Sequence, residues 1–170
     1  MVRAKWVPAA VLILLLCVFS SGCSMTKLAA RQTTAVMLQA VPTYDRESDL
    51  ELAEQASASN LKMMEGLLEV TPDDADLLLL TSSSFTRYAF GFIEEEVEIA
   101  DERFDFDAKA AQVKRAVDFY ERGMGYGKRW IDLHRGRFRS AVNQDLDRLA
   151  AELREFRKED VPGLFWTAFA

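Results

Sequence analysis

Residues 71–98 read T-P-D-D-A-D-L-L-L-L-T-S-S-S-F-T-R-Y-A-F-G-F-I-E-E-E-V-E, and their apolar members do not keep to one face. The stretch opens like a helix. Thr71 is a capping residue, Pro72 suits the first helical position, and Asp73, Asp74 and Asp76 lie at the positive end of the dipole. Leu78, Phe85, Phe92 and Ile99 then recur every seven residues, with Tyr88 on the same side and Leu77 and Leu80 pointing elsewhere. A helix apolar over most of its girth is a central one, covered on several sides. The small polar run Thr81, Ser82, Ser83, Ser84 lets a second helix come close. The segment therefore predicts the core helix of an all-α domain.

The rest of the composition agrees with one packed domain. The chain has 170 residues, 49% of them hydrophobic, with only 8 Gly and 4 Pro. A net charge of −6 argues against nucleic acid as a partner, because phosphate binding needs a basic surface. Both cysteines, Cys17 and Cys23, lie near the amino terminus, so the body has no internal disulfide, Cys nucleophile or Cys-rich metal site.

That amino terminus reads as an address. Arg3 and Lys5 precede the apolar run V-L-I-L-L-L-C-V-F at residues 11–19, and Ser20, Ser21, Gly22 and Cys23 come next. This is the three-part pattern of a secretory signal, with an apolar run short for a membrane span. S-S-G-C resembles a bacterial lipobox, although Ser20 stands where Leu is usual. Residues 1–22 are thus expected to be a signal peptide and Cys23 the lipidated first residue. An uncleaved anchor or ordinary secretion is the alternative. Acyl chains contribute about 0.8 kcal/mol per buried CH₂, enough for several chains to hold the protein on a membrane. Ser24 after the cysteine resembles the sorting pattern of outer-membrane lipoproteins.

Residues 23–47 read as a tether, only partly helical, interrupted by Pro42. The helical domain is expected over residues 48–170. Ser48 and Glu51 form a capping box, and Leu52, Ala56, Asn60, Met63 and Leu67 make one stripe behind it. The short turn at Val70, Thr71 and Pro72 makes this helix an antiparallel neighbour of the core helix. Glu94, Glu95, Glu96 and Glu98 point several ways and read as solvated surface rather than a metal site. D-E-R-F-D-F-D at residues 101–107 lacks the glycine of a calcium loop, and its Asp107 can cap the next helix.

That next helix carries Ala110, Val113, Val117, Tyr120, Met124, Gly127 and Ile131 in steps of three and four, with Phe119, Tyr126 and Trp130 alongside. Its G-M-G-Y-G has no strand before it, so a nucleotide loop fails on context. Glycines cost about 1 kcal/mol each in a helix relative to Ala. Close helix approach or room for a ligand are the two offsets. Lys128, Arg129, His134, Arg135, Arg137 and Arg139 are the basic cluster, suited either to the negative helix end or to an anion or partner. His134 has no catalytic companions. A half-buried helix is expected over residues 140–158 on Val142, Leu146, Leu149, Leu153 and Phe156. V-P-G-L-F-W-T-A-F-A then closes the sequence on a rising apolar helix, which reads as a chain cut short and as a patch inviting self-association.

Antiparallel helix pairs with small residues at their crossings suggest a degenerate tetratricopeptide-like superhelix. Residues 71–94, R-A-V-D-F-Y-E-R-G-M-G-Y-G at 115–127 and V-P-G-L-F-W-T-A-F-A at 161–170 together resemble the T-component lipoproteins of tripartite ATP-independent periplasmic (TRAP) transporters. The resemblance spans roughly residues 48–170 and looks like the first part of a longer domain. It implies a tetratricopeptide-like protein facing the periplasm that docks the transporter's solute-binding subunit. It also implies a helix-lined cavity for hydrophobic or organic-acid ligands, with no catalytic residue, cofactor or metal. Phe85, Tyr88, Phe92, Tyr126 and Trp166 are the candidate lining residues, with plain core packing the alternative to be overcome at each.

Overall fold

The computed structural model describes residues 22–136 and 146–170. The expected signal segment up to residue 21, Arg137, Arg139 and the start of the 140–158 helix, Val142 included, lie outside the described residues. So does the side chain of Cys23. The described elements are all helical: α1 (Gly22–Tyr44), α2 (Leu50–Val70), α3 (Ala75–Tyr88), a π-helical turn (Ala89–Ile93), α4 (Glu94–Glu102), α5 (Phe106–His134), α6 (Leu146–Arg154), a 3₁₀ turn (Lys158–Asp160) and α7 (Val161–Phe169).

The expected core helix is the centre of the molecule. Leu77, Leu78, Thr81, Ser82, Phe85, Thr86, Ala89 and Ile93 are all fully buried. The π turn adds a residue to the helical repeat and rotates the helix beyond it. Full burial therefore passes from Phe92 and Ile99, which are half-buried, to Ile93 and Ala100, one position later.

Contacts along α3, α4 and α5 run in opposite senses. The Arg129 guanidinium donates to the Pro72 carbonyl at 2.7 Å, Ser82 to Gly123 O at 2.8 Å, Tyr120 to Glu94 at 2.7 Å and Lys109 to Asp101 at 2.6 Å. α5 is thus antiparallel to α3 and α4, which continue one another through the π turn. The α3–α5 seam is where the small residues matter. A Cβ on Gly123 would stand 2.7 Å from Thr86 Oγ1 and 3.2 Å from Ser82 O. One on Gly127 would collide with Thr167, and one on Gly163 with the Trp130 ring. Close packing accounts for Gly123 and Gly127, while Gly125 faces open space. α7 is thereby clamped against α5, and its Trp166 lies under Arg87 of α3.

Several local expectations are corrected. The starts of α2, α3 and α5 fall on aspartates displaced by one to three residues from the expected caps. Asp49 caps α2 by accepting from Leu52 N–H at 3.1 Å, not Ser48. Asp74 caps α3 by accepting from Leu77 N–H at 3.1 Å, not Thr71 with Pro72. Asp105 caps α5 by accepting from Ala108 N–H at 3.0 Å, not Asp107. Asp and Ser are near-equal caps, so a run containing several does not say which one wins. Thr71 instead closes α2, its hydroxyl donating to Leu67 O at 3.0 Å.

Two stripes also move. On α2 the buried residues are Leu61, Met64 and Leu68, while Leu52 and Met63 are exposed. On α5 the buried residues are Ala116, Gly123, Gly127, Trp130 and Ile131, while Val113 and Val117 are exposed. Gly127 and Ile131 of the expected α5 stripe are buried as expected, whereas nearer the helix start close approach turns Ala116 and Gly123 inward in place of Val113 and Val117. The expected tether is instead the 23-residue α1, with Pro42 inside its last turn. In α6 no described residue is buried, and Leu146 and Leu153 face solvent.

Candidate functional site

The five candidate aromatics divide into a cluster of four and a separate tryptophan. Phe85 is wholly enclosed, its ring stacked 5.7 Å from Tyr126 and tilted 5.5 Å from Phe119. Tyr88 lies 5.4 Å from Phe119 and 5.2 Å from Phe92. The Arg122 guanidinium covers Phe85 at 4.2 Å, a cation on an aromatic face. Trp166, on α7, stands apart with Phe165 and Phe169 and lies under Arg87 at 5.0 Å.

Polar ties hold the cluster in place. Glu65 of α2 receives Arg122 at 2.5 Å, the Tyr126 hydroxyl at 2.8 Å and Lys62 at 2.7 Å. Burial raises the Glu65 carboxyl, but these three donors outweigh it and hold it at about 2. Tyr126 is pushed up to about 12 by burial and then by its bond to Glu65. Tyr88 is raised first by burial and then by Glu54, whose carboxylate accepts its hydroxyl at 3.2 Å. The described members of the basic cluster include several engaged structurally. His134 stacks on Trp130 at 4.0 Å with Nδ1 2.9 Å from Trp130 O, and Arg135 donates to Glu155 O at 2.6 Å.

Tyr88 and Phe92 also form part of the wall of a cleft of about 280 Å³ between α1, α2 and α3. Phe85, Tyr126 and Trp166 do not line it. Met37, Val41, Met64, Leu80 and Phe92 make its walls largely apolar. Its polar members include Tyr44, Asn60 and Arg87. The Asn60 amide donates to the Tyr44 hydroxyl, and Arg87 pairs with Asp45 at 2.9 Å. Arg87 and Asp45 are each about half exposed, at 50% and 53%, so that pair lies at a wet rim. Such a cleft can hold a small molecule with an apolar body and one acidic end.

Sequence reading missed this cleft because it left α1 out of the packed domain. The signal was available: Ala30, Thr34, Met37 and Val41 fall at helical spacing, and all four are buried or half-buried. Among the described residues no cluster of His, Cys, Asp or Glu could hold a metal ion. No described helix is long and apolar enough to cross a membrane.

Comparison with known proteins places this helical assembly. The model of the TRAP transporter T-component family matches residues 46–170. The chain belongs to the TRAP transporter T-component family. No curated protein and no solved structure matches it. The matched span contains α2 through α7 and hence the aromatic cluster; α1, which supplies one wall of the cleft, precedes it.

Proposed function

We propose that this T-component is a lipid-anchored accessory of a TRAP-type uptake system, a binding and adaptor module rather than an enzyme. Family membership over residues 46–170 carries the reading. In it, Cys23 bears the lipid, the protein faces the periplasm from the outer membrane, and the helix pairs form part of a degenerate tetratricopeptide-like superhelix. The module docks the solute-binding subunit and passes a hydrophobic or organic-acid ligand. The cleft supports the second role: an apolar body would lie against Met37, Val41 and Leu80, and an acid group would take Arg87 from Asp45.

The test is capture by the full-length chain. Affinity purification should recover a TRAP solute-binding protein, and native mass spectrometry should find a small acid that is lost in Arg87→Ala. Repeated absence of the solute-binding protein overturns the adaptor role. An envelope protein bound with no small molecule would favour a structural lipoprotein that scaffolds complexes.

A further inference from the structure

The first turns of α1 protrude from the packed domain. Met25, Thr26, Lys27, Leu28 and Ala29 are all exposed, and Ala30 is the first buried residue. Met25 is 64% exposed and Leu28 52%. These apolar side chains are joined by the exposed Lys27, and the 23-residue helix contains no acid, on a chain whose net charge is −6; Arg31, one turn further, shares a hollow with Asp73, Asp74 and Asp76. The sequence carries the apolar run of residues 11–19 just ahead of the helix, and Cys23 is the helix's second residue. A lipid on Cys23 would sit within the first turn of α1, and only residues 20 and 21 stand between the apolar run and the start of that helix.

We propose that this protruding end is a membrane-seated stem, its occupant a phospholipid surface with anionic headgroups. Met25 and Leu28 sit at headgroup depth, and Lys27 meets the lipid phosphates. The inference rests on the lipid-anchor reading above and adds to it a fixed geometry. At roughly 1.5 Å per residue, an upright α1 carries residues 36–44, which wall the cleft, about 20 to 30 Å from Cys23. A helix continuous with the body thus sets the height of the cleft, where a loose tether would let it wander.

The full chain, expressed with its leader and purified with its anchor, is reconstituted in phosphatidylethanolamine–phosphatidylglycerol vesicles. Single cysteines at positions 25, 28 and 39 carry a fluorescent label, and some of the lipid carries a headgroup quencher. Intact mass reports acylation of Cys23, and flotation reports attachment. Quenching at 25 and 28 but not at 39 supports the stem. Protein that floats with all three labels equally unquenched overturns the stem and leaves the anchor standing. Protein that is neither acylated nor floats overturns both. In Lys27→Glu, the label at 28 should lose quenching in these anionic vesicles while flotation persists; unchanged quenching overturns the headgroup contact.

Discussion

The two sides of α3 are packed in opposite ways. Toward α5 the backbones nearly touch, with Ser82 bonded to Gly123 O and Thr86 set against Gly123. Toward α1 the next serines, Ser83 and Ser84, face the cleft. One run of small residues thus produces a closed seam on one side and an open one on the other. The difference lies in the partner. Glycine brings a helix in to meet a hydroxyl, whereas Val36, Met37 and Val41 hold α1 off and leave room. A small residue permits approach; the facing residue decides whether it happens.

The largest effect should come from emptying the closed side. Phe85→Ala removes a ring with no exposure at all and should cost about 4 kcal/mol by urea unfolding. Phe92→Ala, at the half-buried cleft wall, should cost clearly less; equal losses would break the distinction between the two sides.

Next comes overpacking. Gly127→Leu drives a side chain into Thr167 and should cost about 3 kcal/mol. Gly125→Ala meets nothing within 4 Å and should gain about 1 kcal/mol from helix propensity. Opposite signs two residues apart would confirm that the seam, rather than the glycine count, is what matters.

The Glu65 tie predicts a pH dependence. Its folded pKa of about 2 lies below the ordinary 4.5, so its contribution is complete above pH 4.5 and is lost as pH falls through about 2. Glu65→Gln should therefore be less stable than the parent by about 2 to 3 kcal/mol near neutral pH. The gap should narrow in acid; a gap constant from pH 6 to pH 2 would show that packing, not charge, makes the tie.

The smallest effect belongs to the open side. Arg87→Ala breaks a half-exposed pair with Asp45 and should change stability by about 0.5 kcal/mol. A loss of several kcal/mol would mean that the cleft rim is as tightly bound as the α5 seam.

Much of the fold is legible in the residue pattern. The central burial of Leu78 and Phe85, the helical class and the use of glycine for close approach all come from pattern and composition. Two kinds of error remain. The caps slip by one to three residues, because Ser48–Asp49 and Asp105–Asp107 offer rival acceptors of similar strength. The stripe on α2 shifts, and the one on α5 holds at Gly127 and Ile131 but shifts before them, because hydrophobicity alone ranks Val113 and Val117 above Ala116 and Gly123. The cleft is hidden for another reason: it needs three helices, one of which reads as a tether.

The amino-acid order by itself determined the helices from α2 to α5, though not α1, and that residues 77–93 belong at the centre, since both depend on local propensity and the amount of apolar surface to cover. It also contained the family's pattern. Only the tertiary structure decided which face of α5 turns inward, where the π turn shifts burial from Phe92 to Ile93, and that α1 stands off α3 far enough to leave a cleft. Those outcomes depend on which residue sits opposite, and no single helix carries that information.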